Sequence, residues 1–321
     1  MLMLFQEVIS TFELLNDSQT TETQIKAMQT LQPRLDILRM QERLKMALTD
    51  PTVSRLVHED LVHTFGRIGI IPMMAMAMVD RIFSDLIDTK DLEVTEHDIN
   101  AGLRDIIIDN KSLIEILDDK MKDRAKIIFR QVFPFIANGT DFFEKNIIDY
   151  GCGDGRVTDL VYNNVSVHTV GYDVRDYPAQ GISAPVRKFD GAHVPIGDGY
   201  YDIGLMTNVA HHEADNAKIL RELSRIIRKG GRLVVIETVP VKDEPAEFER
   251  TFVGDYVYNR LFHSADVPVP GTYETESGWV RRFAKVGFEL EEWSGITNPT
   301  PLGYDQPTIR DWHTRLVLRK A

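Results

Sequence analysis

The sequence predicts two parts: an all-helical region over about residues 1–140, then an α/β domain with a mostly parallel, doubly wound sheet over about 141–321. Three observations predict this. The apolar pattern is helical up to Asn138-Gly139 and carries no strand-like alternation. Beyond that point short β-branched runs alternate with helical stretches, which is the signature of βαβ units. The first of those runs leads through a glycine-rich loop into a helix.

The helical elements come in order. Pro33 is read as the start of a helix whose Leu35, Leu38, Leu44 and Leu48 share one face. Asp50-Pro51 opens a second helix running to about Phe65. The most apolar run, Ile68 to Val79, is 12 residues long and is read as a buried helix with Pro72 in its first turn, being too short to span a bilayer. Thr95 and Asp98 are spaced as a capping box at the head of the next helix. A last helix runs from Ser112 to about Phe133, where Pro134 breaks it. The strands are then read from IIDYG, HTVGYDV, VRKFD, YDIGLMT and RLVVIETV.

Composition narrows the function. The chain has 321 residues, 43% hydrophobic and 27% charged, an ordinary globular balance with room for more than one core. Its single cysteine, Cys152, excludes an internal disulfide and a multi-thiolate metal or iron–sulfur site, and no metal is expected. A reducing, cytoplasmic setting fits. The net charge is -12, with 22 acids and 16 bases up to residue 140 and 27 and 21 beyond it. No basic footprint for nucleic acid or an anionic membrane is present, so neither partner is expected. Met1 to Phe5 has no basic flank, and Glu7 and Glu13 break the apolar pattern after it, so no targeting segment is read.

The sharpest motif is NIIDYGCGDGRVT, Asn146 to Thr158. A strand runs into Asp149, then Gly151, Gly153 and Gly155, and a helix begins near Arg156. Glycines permit positive φ and close backbone approach, and the helix start offers free N–H groups, as in a Rossmann-like nucleotide site. The spacing is G-x-G-x-G rather than the dinucleotide G-x-G-x-x-G. Asp149 and Asp154 would repel a pyrophosphate but suit a cofactor carrying a sulfonium and an ammonium. Asp173 ends the next strand, where a carboxylate can accept ribose hydroxyls. Asp190, beside Gly191-Ala192, can meet an adenine amino group.

In this order the pieces resemble the class I S-adenosylmethionine-dependent methyltransferases, strongly over 140–240 and in outline over 276–321. The resemblance implies a Rossmann-like seven-stranded methyltransferase sheet with an antiparallel last strand, GFELEEWSG and TRLVLRK supplying the final two. It implies S-adenosyl-L-methionine as cofactor, with Cys152, Val174, Gly191 and Asn208 joining the acids and glycines around it. Cys152 itself reads as a small buried filler.

The acceptor is expected to be a small molecule, methylated on O, N or C. The place after the fourth strand reads Thr207-Asn208-Val209-Ala210, not the Asn/Asp-Pro-Pro-aromatic motif of base amino-methylating enzymes, and it has no cysteine. His211 in Val209-Ala210-His211-His212 is a candidate general base, by analogy with plant-type O-methyltransferases, or else a packing residue. The stretch 242–275 is too long for a plain connector and reads as an acceptor lid offering Tyr256 and His263, or as a dimer contact. The segment 297–313, with Tyr304, Asp305, Arg310 and His313, could line the same cavity. The helical region is read as a substrate cap or a homodimerisation surface. Two alternatives stand beside the small-molecule enzyme: a binding or scaffold protein that kept the fold, and a protein methyltransferase.

Overall fold

The structure is a computed structural model describing residues 21–137, 141–263, 267–297 and 313–321. Five helices come first: α1 (Thr21–Thr49), α2 (Pro51–Arg67), α3 (Pro72–Asp88), α4 (Leu92–Asp105) and α5 (Leu113–Ile136). Pro51 opens α2 as expected, with the Asp50 carboxylate accepting from Thr52 and Val53 N–H at 2.8 and 2.9 Å.

Four local readings are corrected. Pro33 lies inside α1 instead of starting it. Asp91, not Thr95, caps α4 by accepting from Val94 N–H; Thr95 sits one turn in, with its hydroxyl on that of Thr89. The capping box appears instead at Ser112 and Glu115, heading α5, and Pro134 falls inside the last turn of that helix. Between α4 and α5, Ile107–Ile108 pairs with Lys111–Ser112 as a two-residue ladder, which is too short to show alternation. Its turn holds Asp109 and Asn110 at φ 49° and 65°, the left-handed pair that a tight hairpin demands.

The run Ile68 to Val79 is two-faced. Ala75 and Val79 are buried with Ile82, Phe83 and Leu86, while Ile71, Met73, Met74 and Met76 face solvent. A groove of about 740 Å³ lies between α3 and α4, lined in part by Met74, Met78, Ile99 and Leu103. Among the described residues no helix is long and apolar enough to cross a membrane.

The sheet has the seven strands expected. They are β1 (Ile147–Tyr150), β2 (Thr169–Asp173), β3 (Val186–Lys188), β4 (Tyr201–Thr207), β5 (Ile227–Thr238), β6 (Phe288–Thr297) and β7 (His313–Lys320). Their order is β3-β2-β1-β4-β5-β7-β6; β7 runs antiparallel to both neighbours and the others pair parallel. The order reverses at β1/β4, so the carboxyl ends of these strands open the crevice where such sheets bind ligands. Helices α6 (Arg156–Asn164), α7 (Asn216–Ile226) and α9 (Glu276–Lys285) belong to this part.

The two parts interpenetrate in sequence. Helix α8 (Pro245–Tyr256) and the wider π-helical turn Val257–His263 leave the sheet after β5 and enter the helical core. There Phe252, Tyr256, Leu261 and Phe262 are buried with Leu44, Leu61 and Phe65. Conversely, Val132 and Ile136 at the end of α5 pack under the sheet with Ile147, Val161 and Leu205. Buried ion pairs fix the docking of α8 and its continuation: Arg250 on Asp60 at 2.6 Å, and Arg260 on both oxygens of Glu96 at 2.6 and 2.7 Å. Removing one partner of such a pair strands a buried charge, at a cost of about 3–5 kcal/mol.

Candidate active site

The cofactor half of the carboxyl edge is built from one continuous stretch of chain, from β1 to the turn after β3. Gly151, Gly153 and Gly155 all adopt left-handed φ values, 71°, 57° and 80°. At Gly151 a Cβ would lie 2.5 Å from Val209 Cγ2, so the loop after β1 and the turn after β4 touch. Gly153 N–H donates to Asp173 Oδ2 and Arg175 N–H to Asp173 Oδ1, both at 2.9 Å. The carboxylate at the end of β2 is thereby held rigidly against the glycine loop, with lone pairs left for ribose hydroxyls.

Asp149 is the most perturbed acid of this half. It is buried; its Oδ2 accepts from the Thr158 hydroxyl at 2.7 Å, and its Oδ1 has no hydrogen-bond partner. Burial is the main cause raising its pKa from 3.8 to about 6, and the nearby Asp173 charge adds to it. An orphaned buried carboxylate oxygen under a left-handed glycine loop fits a cationic cofactor group.

The remaining expected residues divide. Asp190 Oδ1 accepts from Ala192 and His193 N–H at 2.8 and 2.7 Å, and these bonds keep its pKa low. Val174 is 48% exposed beside Gly191, whose Cβ would meet it at 2.9 Å; an apolar side chain held out at this position suits an adenine face. Asp154 differs from expectation: it accepts from Arg156 N–H and pairs with that guanidinium at 3.0 Å, so its charge is already met within the loop. Cys152 is buried and its thiol pKa is pushed up by burial, which fits a filler. Asn208 leaves β4 at φ 55°, an unusual conformation outside glycine, and its N–H donates to Ile236 O at 2.7 Å.

The second half of the edge is assembled from distant segments. Asn208 turns the chain into a single 3₁₀ turn, Ala210–His212. Glu237, at the end of β5, accepts from Val209 and Ala210 N–H through Oε1, at 2.9 and 2.7 Å. Its Oε2 lies 2.6 Å from His211 Nδ1; the two side chains are 0% and 1% exposed. On the other side His211 Nε2 faces Asp255 Oδ1 across 3.6 Å, and the ring stacks on Tyr273 with centroids 5.5 Å apart. Asp255 accepts from the Tyr273 hydroxyl at 2.5 Å and from the Asn259 amide at 2.7 Å.

Burial alone would lower the His211 pKa, but the two carboxylates outweigh it and raise it to about 10. Burial and the neighbouring His211 charge lower His212 to about 4. Burial would raise Asp255, yet the imidazoles and Tyr273 hold it at about 2. The His212 Nδ1–H donates to Pro268 O at 2.7 Å. His313 lies opposite Thr238 on β7, buried; burial and then the Arg124 and His211 charges lower its pKa well below 6.5.

The structure does not bring the expected catalytic residues together. His211 is buried between two carboxylates, with Glu237 on Nδ1 orienting the ring and Nε2 turned toward Asp255. Tyr256 is buried away from the edge, donating to Glu96 Oε1 at 2.7 Å inside the helical core. The side chain of His263 and residues 298–312, including Tyr304, Asp305 and Arg310, lie outside the described residues. Sequence reasoning missed Glu237, Glu96 and Tyr273. The one available signal for Glu237 was an acid closing an otherwise apolar strand, RLVVIET.

Strand order, glycine loop and the acid after β2 together define a methyltransferase-type α/β domain. Residues 148–235 match the family model described as a methyltransferase domain. Among curated proteins, the chain is 34% identical over 107 residues to the uncharacterized protein YafE of Escherichia coli K12, covering 29% of this chain and 51% of that one. It is 23% identical over 143 residues to the chloroplastic tocopherol O-methyltransferase of Arabidopsis thaliana, covering 40% and 41%. The chain thus spans about half or less of these relatives' lengths. A solved S-adenosylmethionine-dependent methyltransferase of Mesorhizobium loti aligns with a TM-score of 0.45 at 14% identity, over 60% of this chain and 96% of that one. Over residues 148–235 the chain carries a methyltransferase domain.

Proposed function

We propose that the protein transfers a methyl group from S-adenosylmethionine to a small-molecule acceptor. The observation that carries this reading is the glycine loop clamped onto Asp173 at 2.9 Å beside the orphaned Asp149 oxygen. Gly151 and Gly153 would admit the amino-acid end of the cofactor, with Asp149 supplying negative charge beneath it. Asp173 would take the ribose hydroxyls, and Val174, Asp190 and Gly191 the adenine. When bound, the cofactor supplies an electrophilic methyl carbon. The chain's own task is then alignment, since proximity and orientation account for most of what such a displacement requires.

On the acceptor side, Glu237 holds His211 and the Val209 and Ala210 N–H groups, which fixes the 208–212 turn. His212, with 21% of its side chain exposed against 1% for His211, is the more accessible ring of this pair and would meet an incoming molecule first. The curated relative that acts on tocopherol supports a hydroxyl on an apolar body as the first acceptor class to try. The helical part and the 245–273 segment would form the wall opposite the sheet.

The test uses the full chain with methyl-labelled S-adenosylmethionine and a panel of phenolic and aliphatic alcohols of graded hydrophobicity. Label should move to at least one of them, and Asp173→Ala should lower the transfer roughly ten- to a hundredfold at limiting cofactor. Label appearing only in protein would favour protein methylation. Absence of transfer together with absence of S-adenosylhomocysteine binding would favour a scaffold role.

A further inference from the structure

Outside the cofactor half, His211, His212 and Asp255 each present one donor atom, and these three atoms lie within 4.8 Å of one another. We propose that they bind one divalent first-row transition-metal ion. Three features of the geometry support the site.

The first is how the rings are held. Glu237 fixes His211 at Nδ1, 2.6 Å away, and the Pro268 carbonyl fixes His212 at Nδ1, 2.7 Å away. A carboxylate on one ring nitrogen is the usual support of a metal-bound histidine, since it sets the tautomer and leaves the other nitrogen, here His211 Nε2, as the ligand. The His212 nitrogen facing Asp255 is Nδ1, 4.0 Å from Oδ2, and an ion would take it over from the Pro268 carbonyl. The second is spacing. His211 Nε2 and Asp255 Oδ1 are 3.6 Å apart, too far for a hydrogen bond. Metal bonds of about 2.0–2.2 Å to each would meet at roughly 110–130°, close to tetrahedral. The third is the carboxylate. Asp255 is buried and oriented by Tyr273 and Asn259, so it is preset as a ligand.

Two imidazoles with one carboxylate suit Zn²⁺, Fe²⁺ or Co²⁺ better than Mg²⁺ or Ca²⁺, which prefer all-oxygen sets. Three protein ligands leave further positions for an acceptor oxygen, whose proton an ion would make easier to lose. That catalytic use rests on the methyl-transfer reading; the binding itself does not.

The experiment takes the tag-free full chain, stripped with EDTA and dialysed, and titrates Co²⁺ while following visible d–d absorption, with Zn²⁺ as competitor. S-adenosylhomocysteine binding is measured on the same preparation. One Co²⁺ per chain is expected, displaced by Zn²⁺, with His212→Gln and Asp255→Asn each binding at least tenfold more weakly. Metal-free melting curves establish that the variants fold; if Asp255→Asn does not, the half-buried His212→Gln decides. Absence of d–d bands, or equal affinity in a folded variant, overturns the site. Cobalt binding without S-adenosylhomocysteine binding would instead overturn the methyl-transfer reading alone.

Discussion

The two halves of the carboxyl edge are built in opposite ways. The cofactor half comes from one continuous stretch, residues 147–191: β1, the glycine loop, α6, β2, β3 and the turn after it, with the bond from Gly153 to Asp173 closing its centre. The half we propose meets the acceptor gathers His211 and His212 after β4, Glu237 at the end of β5, Asp255 in α8 and Tyr273 before α9. A site made by one stretch of chain is announced by its motif. A site made by four segments exists only once the helical core has pulled α8 into place. Perturbing the second half should therefore strike stability first, and perturbing the first half should strike ligand binding first.

The largest expected effect is on Glu237. Glu237→Ala removes the acceptor for two backbone N–H groups and the partner of a buried imidazole, which should cost about 3–5 kcal/mol in urea unfolding. A loss under about 1 kcal/mol would mean that the acceptor half does not hold itself together this way.

The next effect has the opposite sign and sharpens the contrast. The Asp149 carboxyl has a folded pKa of about 6, above its ordinary 3.8. The proton-bound form is thus favoured by folding, and its contribution is complete below about pH 3.8 and lost as pH rises through about 6. Asp149→Asn keeps an acceptor for Thr158 and removes the buried charge. It should raise stability by about 2–3 kcal/mol at pH 7 and leave it unchanged near pH 3.5, while weakening S-adenosylhomocysteine binding. Stability gained equally at both pH values would mean that the ionised Asp149 carboxylate is not what destabilises the fold.

These contrasts explain which features were legible in the sequence. The sheet could be read because its strands are short β-branched runs and its loop must be glycine: a Cβ at Gly151 would strike Val209. The roles of His211 and Tyr256 could not be read, because they depend on Glu237, 26 residues away from His211, and Glu96, 160 residues away from Tyr256. Helix starts at Thr95 and Pro33 were misplaced because both residue types also occur inside a helix: Pro33 lies within α1, and Asp91 offers the local cap, to Val94 N–H, four residues before Thr95.

A smaller effect tests the union of the helical part with α8. Tyr256→Phe removes a single buried hydrogen bond to Glu96, which also has Arg260, so about 1 kcal/mol of stability should be lost and turnover should change little. A collapse of turnover with stability intact would return Tyr256 to the acceptor site.

The most direct measurement is calorimetric titration of S-adenosylhomocysteine into the wild-type chain and Asp173→Ala. One site per wild-type chain is expected. In the variant, loss of hydrogen bonds to a charged group should weaken binding by about 1.5–3 kcal/mol, roughly ten- to a hundredfold. No heat of binding in the wild type, or equal affinity in the two, would contradict the claim that the glycine loop and Asp173 form the cofactor cradle.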